Sequence, residues 1–98
     1  MDILFHVTTE AGAQLLAPLA RACRRGNHAF AAFFTHEGVR ALRDAEVQAA
    51  LDGARAARVV VCEESWHRFC ADAACPVELG SQTVNSALMG EAKRVVSL

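Results

Sequence analysis

Apolar positions along this chain fall into two patterns that take turns. Ile3-Leu4-Phe5-His6-Val7, Ala29-Phe30-Ala31-Ala32-Phe33-Phe34 and Val59-Val60-Val61-Cys62 are short, nearly continuous apolar runs. Runs of that length, rich in aromatic and β-branched residues, predict strands covered on both faces. After the first run, Thr8-Thr9-Glu10 supplies a polar start with an acid for a helix over Ala11 to Arg25. Leu15, Leu16, Leu19 and Cys23 form one helical face, and Arg21, Arg24 and Arg25 gather near the end that Gly26-Asn27 closes. Pro18 is incompatible with a regular helix interior, so the helix kinks there or begins shortly before it. Val39 to Leu51 is again helical, in two pieces broken near Asp44, with Val47, Ala50, Leu51 and Ala54 inward.

Beyond Cys62 the pattern predicts a helix from Glu63 to Ala74, stopped by Pro76. A further helix, capped by Ser81 and running to Ala92, turns Val84, Leu88 and Ala92 inward. Arg94 to Leu98 forms a last strand. The predicted order is strand, helix, strand, helix, strand, helix, helix, strand. Strands separated by helices pair in parallel. The expected fold is one α/β domain over residues 1–98, a small three-layer sandwich. Its mostly parallel sheet has four to five strands and helices on both faces.

Composition sharpens this. Hydrophobic residues make up 53% of the 98 and charged ones 21%, more apolar than usual for a domain of this size. Phe30, Phe33, Phe34, Trp66, Phe69, Val77 and Leu79 exceed what one small core readily covers, which predicts a subunit interface. The net charge is −1 with no like-charge run beyond two, so no basic stripe recommends nucleic acid as a partner. The longest uncharged apolar stretch, Ala11 to Ala20, is too short to cross a bilayer. Met1-Asp2 leads straight into a strand-like run without a basic leader. The expected location is therefore the cytoplasm, with the four cysteines reduced.

Parallel sheets bind ligands beyond the carboxyl ends of their strands. This selects Thr8-Thr9-Glu10, Thr35-His36-Glu37-Gly38 and Cys62-Glu63-Glu64-Ser65, of which the third holds a strong nucleophile. A helix starting after Cys62 favours its thiolate, whereas Glu63 and Glu64 oppose it. The alternative is a cysteine that packs as a small apolar residue. His36, Glu37, Ser65 and Trp66 are the candidate pocket residues around it. Trp66 and Phe69 suit an oligomer contact equally well. His67, Cys70 and Cys75 form either a metal ligand set or, through Cys70 and Cys75, resolving thiols for Cys62. Cys23 and His6 are expected in the core. Gly80 to Ser86 is a polar, Gly-led helix start whose backbone amides suit an anion, with an ordinary cap as the simpler account; it lacks a nucleotide fingerprint.

Phe33-Phe34-Thr35-His36-Glu37-Gly38-Val39, Val59-Val60-Val61-Cys62 and Ala92-Lys93-Arg94-Val95-Val96-Ser97-Leu98 together give the chain a likeness to a known family. It resembles the DsrE/DsrF-like sulfur-relay proteins, which include the Tus proteins of tRNA thiolation. The resemblance implies that Cys62 carries sulfane sulfur as a persulfide, passed between protein donor and acceptor by thiolate chemistry with no metal or organic cofactor. It also implies a homo-oligomer, a trimer or a hexamer of trimers. Active members follow the cysteine with small residues and an Arg-Gly pair, where this chain has Glu63-Glu64-Ser65-Trp66-His67-Arg68-Phe69. Relatives without a working cysteine are interaction subunits, the second function the resemblance allows.

Overall fold

The computed structural model describes residues 1–71 and 73–98. Strands β1 (Ile3–Val7), β2 (Phe30–Phe34), β3 (Arg58–Cys62), β4 (Glu78–Gly80) and β5 (Arg94–Ser97) form one sheet in the order β4-β3-β2-β1-β5, with every pairing parallel. Helices α1 (Glu10–Ala13), α2 (Leu16–Arg25), α3 (Ala45–Gly53), α4 (Glu63–Cys70) and α5 (Gln82–Glu91) join them, with a 3-10 helix over His36–Arg43. The α/β sandwich expected from the apolar runs is the observed fold.

Alternation along the strands sorts side chains into two cores. Phe5, Val7, Phe30, Ala32, Phe34 and Val61 face the first, with Leu16, Val47, Leu51 and Trp66 from α2, α3 and α4. Leu4, Ala31, Phe33, Val60 and Cys62 face the second, which Leu88 of α5 covers. Central β2 is buried at all five positions, as a strand sandwiched between helical layers must be. The ring edge of one of Phe5 and Phe30 meets the face of the other, centroids 5.7 Å apart.

The chain breaks where its residues demand. Helix α1 ends before Gln14, and α2 starts at Leu16, placing Pro18 in its first turn where a missing N–H costs little. Leu15, expected inward, falls in that break and is 55% exposed. Asn27, not Gly26, takes the left-handed conformation after α2 (φ 57°). Asp44 caps α3 by accepting from the Glu46 N–H at 2.9 Å.

Three expectations are corrected. The helix after β3 ends at Cys70 rather than Ala74, and Asp72, within the expected span, lies outside the described residues. Strand β4 was not expected: its three residues carry no apolar run and pair only with β3, beside the bidentate Arg58–Glu78 ion pair. Phe30, Phe33, Phe34 and Trp66 are at most 3% exposed, and Phe69 and Val77 are half-buried. The single chain therefore covers most of the apolar surface assigned to a subunit interface. The large apolar residues it exposes are Leu15, Leu79, Met89 and Val95. No helix among the described residues is long and apolar enough to cross a membrane.

Candidate functional site

Cys62 is the last residue of β3 and occupies the cap position of α4, with extended backbone (φ −62°, ψ 118°). Its partner in register is Gly80, the last residue of β4, and Ser81 caps α5 directly afterwards. Because α4 packs in the first core and α5 on the second, two helix N-termini flank one sulfur. Both ends favour negative charge. Gly80 is required here by contact: a Cβ on it would stand 2.6 Å from Val60 Cγ1.

Burial, which leaves Cys62 7% exposed, works against its thiolate. The nearby Ser65 hydroxyl and amide and the Gln82 and Thr35 side chains, as polar groups able to donate toward the sulfur, outweigh it and hold the thiol below its ordinary pKa. Cys62 closes no geometrically complete side-chain cap on α4; it is the proximity of these donors that favours the anion.

Proton counting shows how the hydroxyls divide the task. The His36 amide donates to Ser65 Oγ at 3.0 Å, and Thr35 Oγ1 lies 3.3 Å from the same atom. A hydroxyl has one hydrogen and two acceptor sites. His36 N–H occupies one acceptor site of Ser65 Oγ, and either hydroxyl of the Ser65–Thr35 pair can donate to the other, so one hydroxyl hydrogen of the pair is left for the sulfur. His36 reaches this position by adopting a left-handed backbone (φ 51°), a conformation costing about 1–2 kcal/mol for an L-residue.

Two depressions meet at Cys62. One, of about 340 Å³, is lined by Cys62, Glu63, Glu64, His67, Gly80, Ser81 and Gln82. The other, of about 130 Å³, adds Thr35, His36, Ser65, Arg68 and Phe69. His67 pairs with Glu63 at 3.7 Å, both side chains turned to solvent. The Arg40 and Arg68 guanidinium groups lie 4.9 and 5.5 Å from the centre of the Phe69 ring. A larger groove of about 500 Å³ between α2 and α3, edged by Arg21, Arg24 and Arg25, contains no nucleophile.

Of the expected pocket residues, His36 and Ser65 adjoin Cys62, and His67 shares its cleft. Glu37 is exposed and lines neither depression. Trp66 is in the first core, its indole N–H donating to Ala73 O at 2.9 Å, so it is a packing residue rather than a pocket wall. Thr8-Thr9-Glu10 is absorbed by structure: Thr9 accepts from Gly12 N–H, and Thr8 binds Leu98 O. His6 stacks on Phe33 with ring centroids 6.0 Å apart, and burial, then nearby His36, lowers its pKa.

The arrangement lends no support to the resolving-thiol and metal expectations. Cys70 sits in the first core at the far end of α4, and eight residues of helix separate the Cα atoms by about 12 Å. A disulfide needs them within about 7 Å. Cys75 donates to Val77 O at 3.3 Å and packs against that same core. His67, Cys70 and Cys75 point to different surroundings, and no three metal-ligating side chains converge among the described residues. Burial raises the Cys23 and Cys70 thiols. Gln82 lines both depressions, within the Gly80–Ser86 helix start that the sequence offers to an anion through its backbone amides rather than through this side chain. The findable signal was that neighbouring parallel strands bring their following loops together. No protein-family model matches the chain, and no curated protein is significantly similar to it.

Proposed function

We propose that this protein is a sulfur carrier in which Cys62 accepts a sulfane sulfur and hands it to a partner protein. The observation that carries the reading is the placement of Cys62 at the start of α4, where two depressions meet and the polar groups of Thr35, Ser65 and Gln82 surround it. The likeness of the Val59–Cys62 run and its surroundings to the DsrE/DsrF-like family supports the same reading.

The Cys62 thiolate attacks the terminal sulfur of a donor persulfide, R–S–SH. A new S–S bond forms at Cys62, the donor S–S bond breaks, and R–S⁻ leaves. In the second step a recipient thiolate attacks the outer sulfur, and Cys62 departs as the thiolate. The sum moves one sulfur atom and consumes no oxidant or reductant. Donors that stabilise the thiolate make Cys62 available as nucleophile and good as leaving group. Free thiols suit a reducing compartment, so the cytoplasm is the proposed location. The proposal includes a homo-oligomer, a trimer or hexamer, supported by exposed Leu15, Leu79, Met89 and Val95.

A second reading, a non-catalytic interaction subunit, draws on the burial of Cys62. Whole-protein mass spectrometry after incubation with a small-molecule persulfide separates the two. A carrier gains the mass of one sulfur, and Cys62→Ser gains none. A native chain that gains nothing is an interaction subunit.

A further inference from the structure

Gln82 is exposed at the first position of α5, and an exposed carboxamide ordinarily rotates between two opposite orientations. Only one helps Cys62: the NH2 group must face the sulfur, because a carbonyl oxygen there would repel a thiolate. Asn85 lies one turn further along α5, only 7% exposed, and its Nδ2 donates to Gln82 Oε1 at 3.3 Å. With its oxygen engaged in this way, Gln82 has its own NH2 free for Cys62, beside which it lines both depressions. The other end of Asn85 explains nothing as packing: Oδ1 is buried with no hydrogen-bond partner, a cost that an apolar side chain of similar size avoids.

We propose that Asn85 is a positioning residue that locks the Gln82 carboxamide with its NH2 directed at the Cys62 sulfur. This rests on the sulfur-carrier reading only for its purpose; the positioning itself is read from the thiol's titration. The buried side chain acts through Gln82 and does not touch the reacting atoms. Its unpartnered oxygen makes a clear separation possible between holding the fold and tuning the thiol.

The test is the pH dependence of Cys62 alkylation by iodoacetamide, followed by peptide mass spectrometry, in the native chain, Asn85→Leu, Gln82→Leu and the double variant. Asn85→Leu is expected to keep or raise the midpoint of urea unfolding while moving the alkylation profile to higher pH. The thiolate population at neutral pH falls by roughly threefold to tenfold, equal to about 0.7–1.4 kcal/mol. Gln82→Leu does the same, and adding Asn85→Leu to it moves the profile no further. A folded Asn85→Leu variant with the native profile overturns the proposal. So does a native profile in Gln82→Leu, a surface change that tests the lock even where Asn85→Leu fails to fold. If the profile moves as expected while the native chain takes up no sulfur, the positioning stands and the carrier reading fails. If sulfur is taken up and the profiles coincide, only the positioning fails.

Discussion

Ser65→Ala removes a hydroxyl beside Cys62, deprives the His36 amide of its acceptor and takes away the hydrogen-bond partner of the Thr35 hydroxyl. A hydrogen bond to a charged group contributes about 1.5–3 kcal/mol, and one pH unit of titration corresponds to about 1.4 kcal/mol. Losing the donor therefore raises the Cys62 pKa by roughly one to two pH units. Water entering the cleft replaces part of the bond, which favours the lower figure. At a pH below both pKa values, one unit means about tenfold less thiolate. The more basic thiolate is about threefold more nucleophilic, given a Brønsted coefficient near 0.4–0.5. The net result is alkylation about threefold slower near neutral pH and about threefold faster on the alkaline plateau. This crossing of the two pH–rate curves is the signature. Curves that coincide, or a variant slower at every pH, would refute the assignment of Ser65 as a donor to the sulfur.

Other consequences concern the scaffold. Gly80→Ala forces a Cβ against Val60 Cγ1 and is expected to lower unfolding stability by about 1–3 kcal/mol. Gly90→Ala, with nothing within 4 Å of the added atom, raises it by up to about 1 kcal/mol; urea titration compares the two. Asp2 accepts from Ala29 N–H at 3.0 Å and lies 3.4 Å from Lys93 Nζ, and these contacts hold its pKa below the usual 3.8. A lowered acid stabilises the fold above its unfolded pKa and loses that contribution as pH falls through the folded value. Asp2→Asn should therefore be less stable than the native chain at neutral pH, with the difference shrinking below about pH 4 in acid unfolding curves. Light scattering should give a mass several times the 10.5 kDa of one chain; a value at 10.5 kDa removes the proposed assembly.

The legible parts of the fold were those that each segment settles for itself. Continuous apolar runs made β1, β2 and β3 readable, and Pro18 and Asp44 marked breaks that the structure contains. β4 was invisible because Glu78-Leu79-Gly80 becomes a strand only through its pairing with β3. The aromatic residues were misassigned because counting apolar side chains ignores a sheet covered on both sides, which buries Phe34 on one face and Phe33 on the other within one chain. Cys62 was readable as a strand-end thiol. Its partners were not, because Thr35 and Gln82 reach it through strand register from either side.

Sulfur transfer through Cys62 is tested most directly by locating the transferred atom. The native chain is loaded with a small-molecule persulfide, the donor is removed, and all thiols and persulfides are capped by alkylation before proteolysis. One added sulfur is expected on the peptide containing Cys62 and on none containing Cys23, Cys70 or Cys75. Treatment with cyanide before capping, which removes sulfane sulfur as thiocyanate, should return that peptide to its unloaded mass. Added sulfur on Cys75 instead, or none on any of the four peptides, would contradict the account.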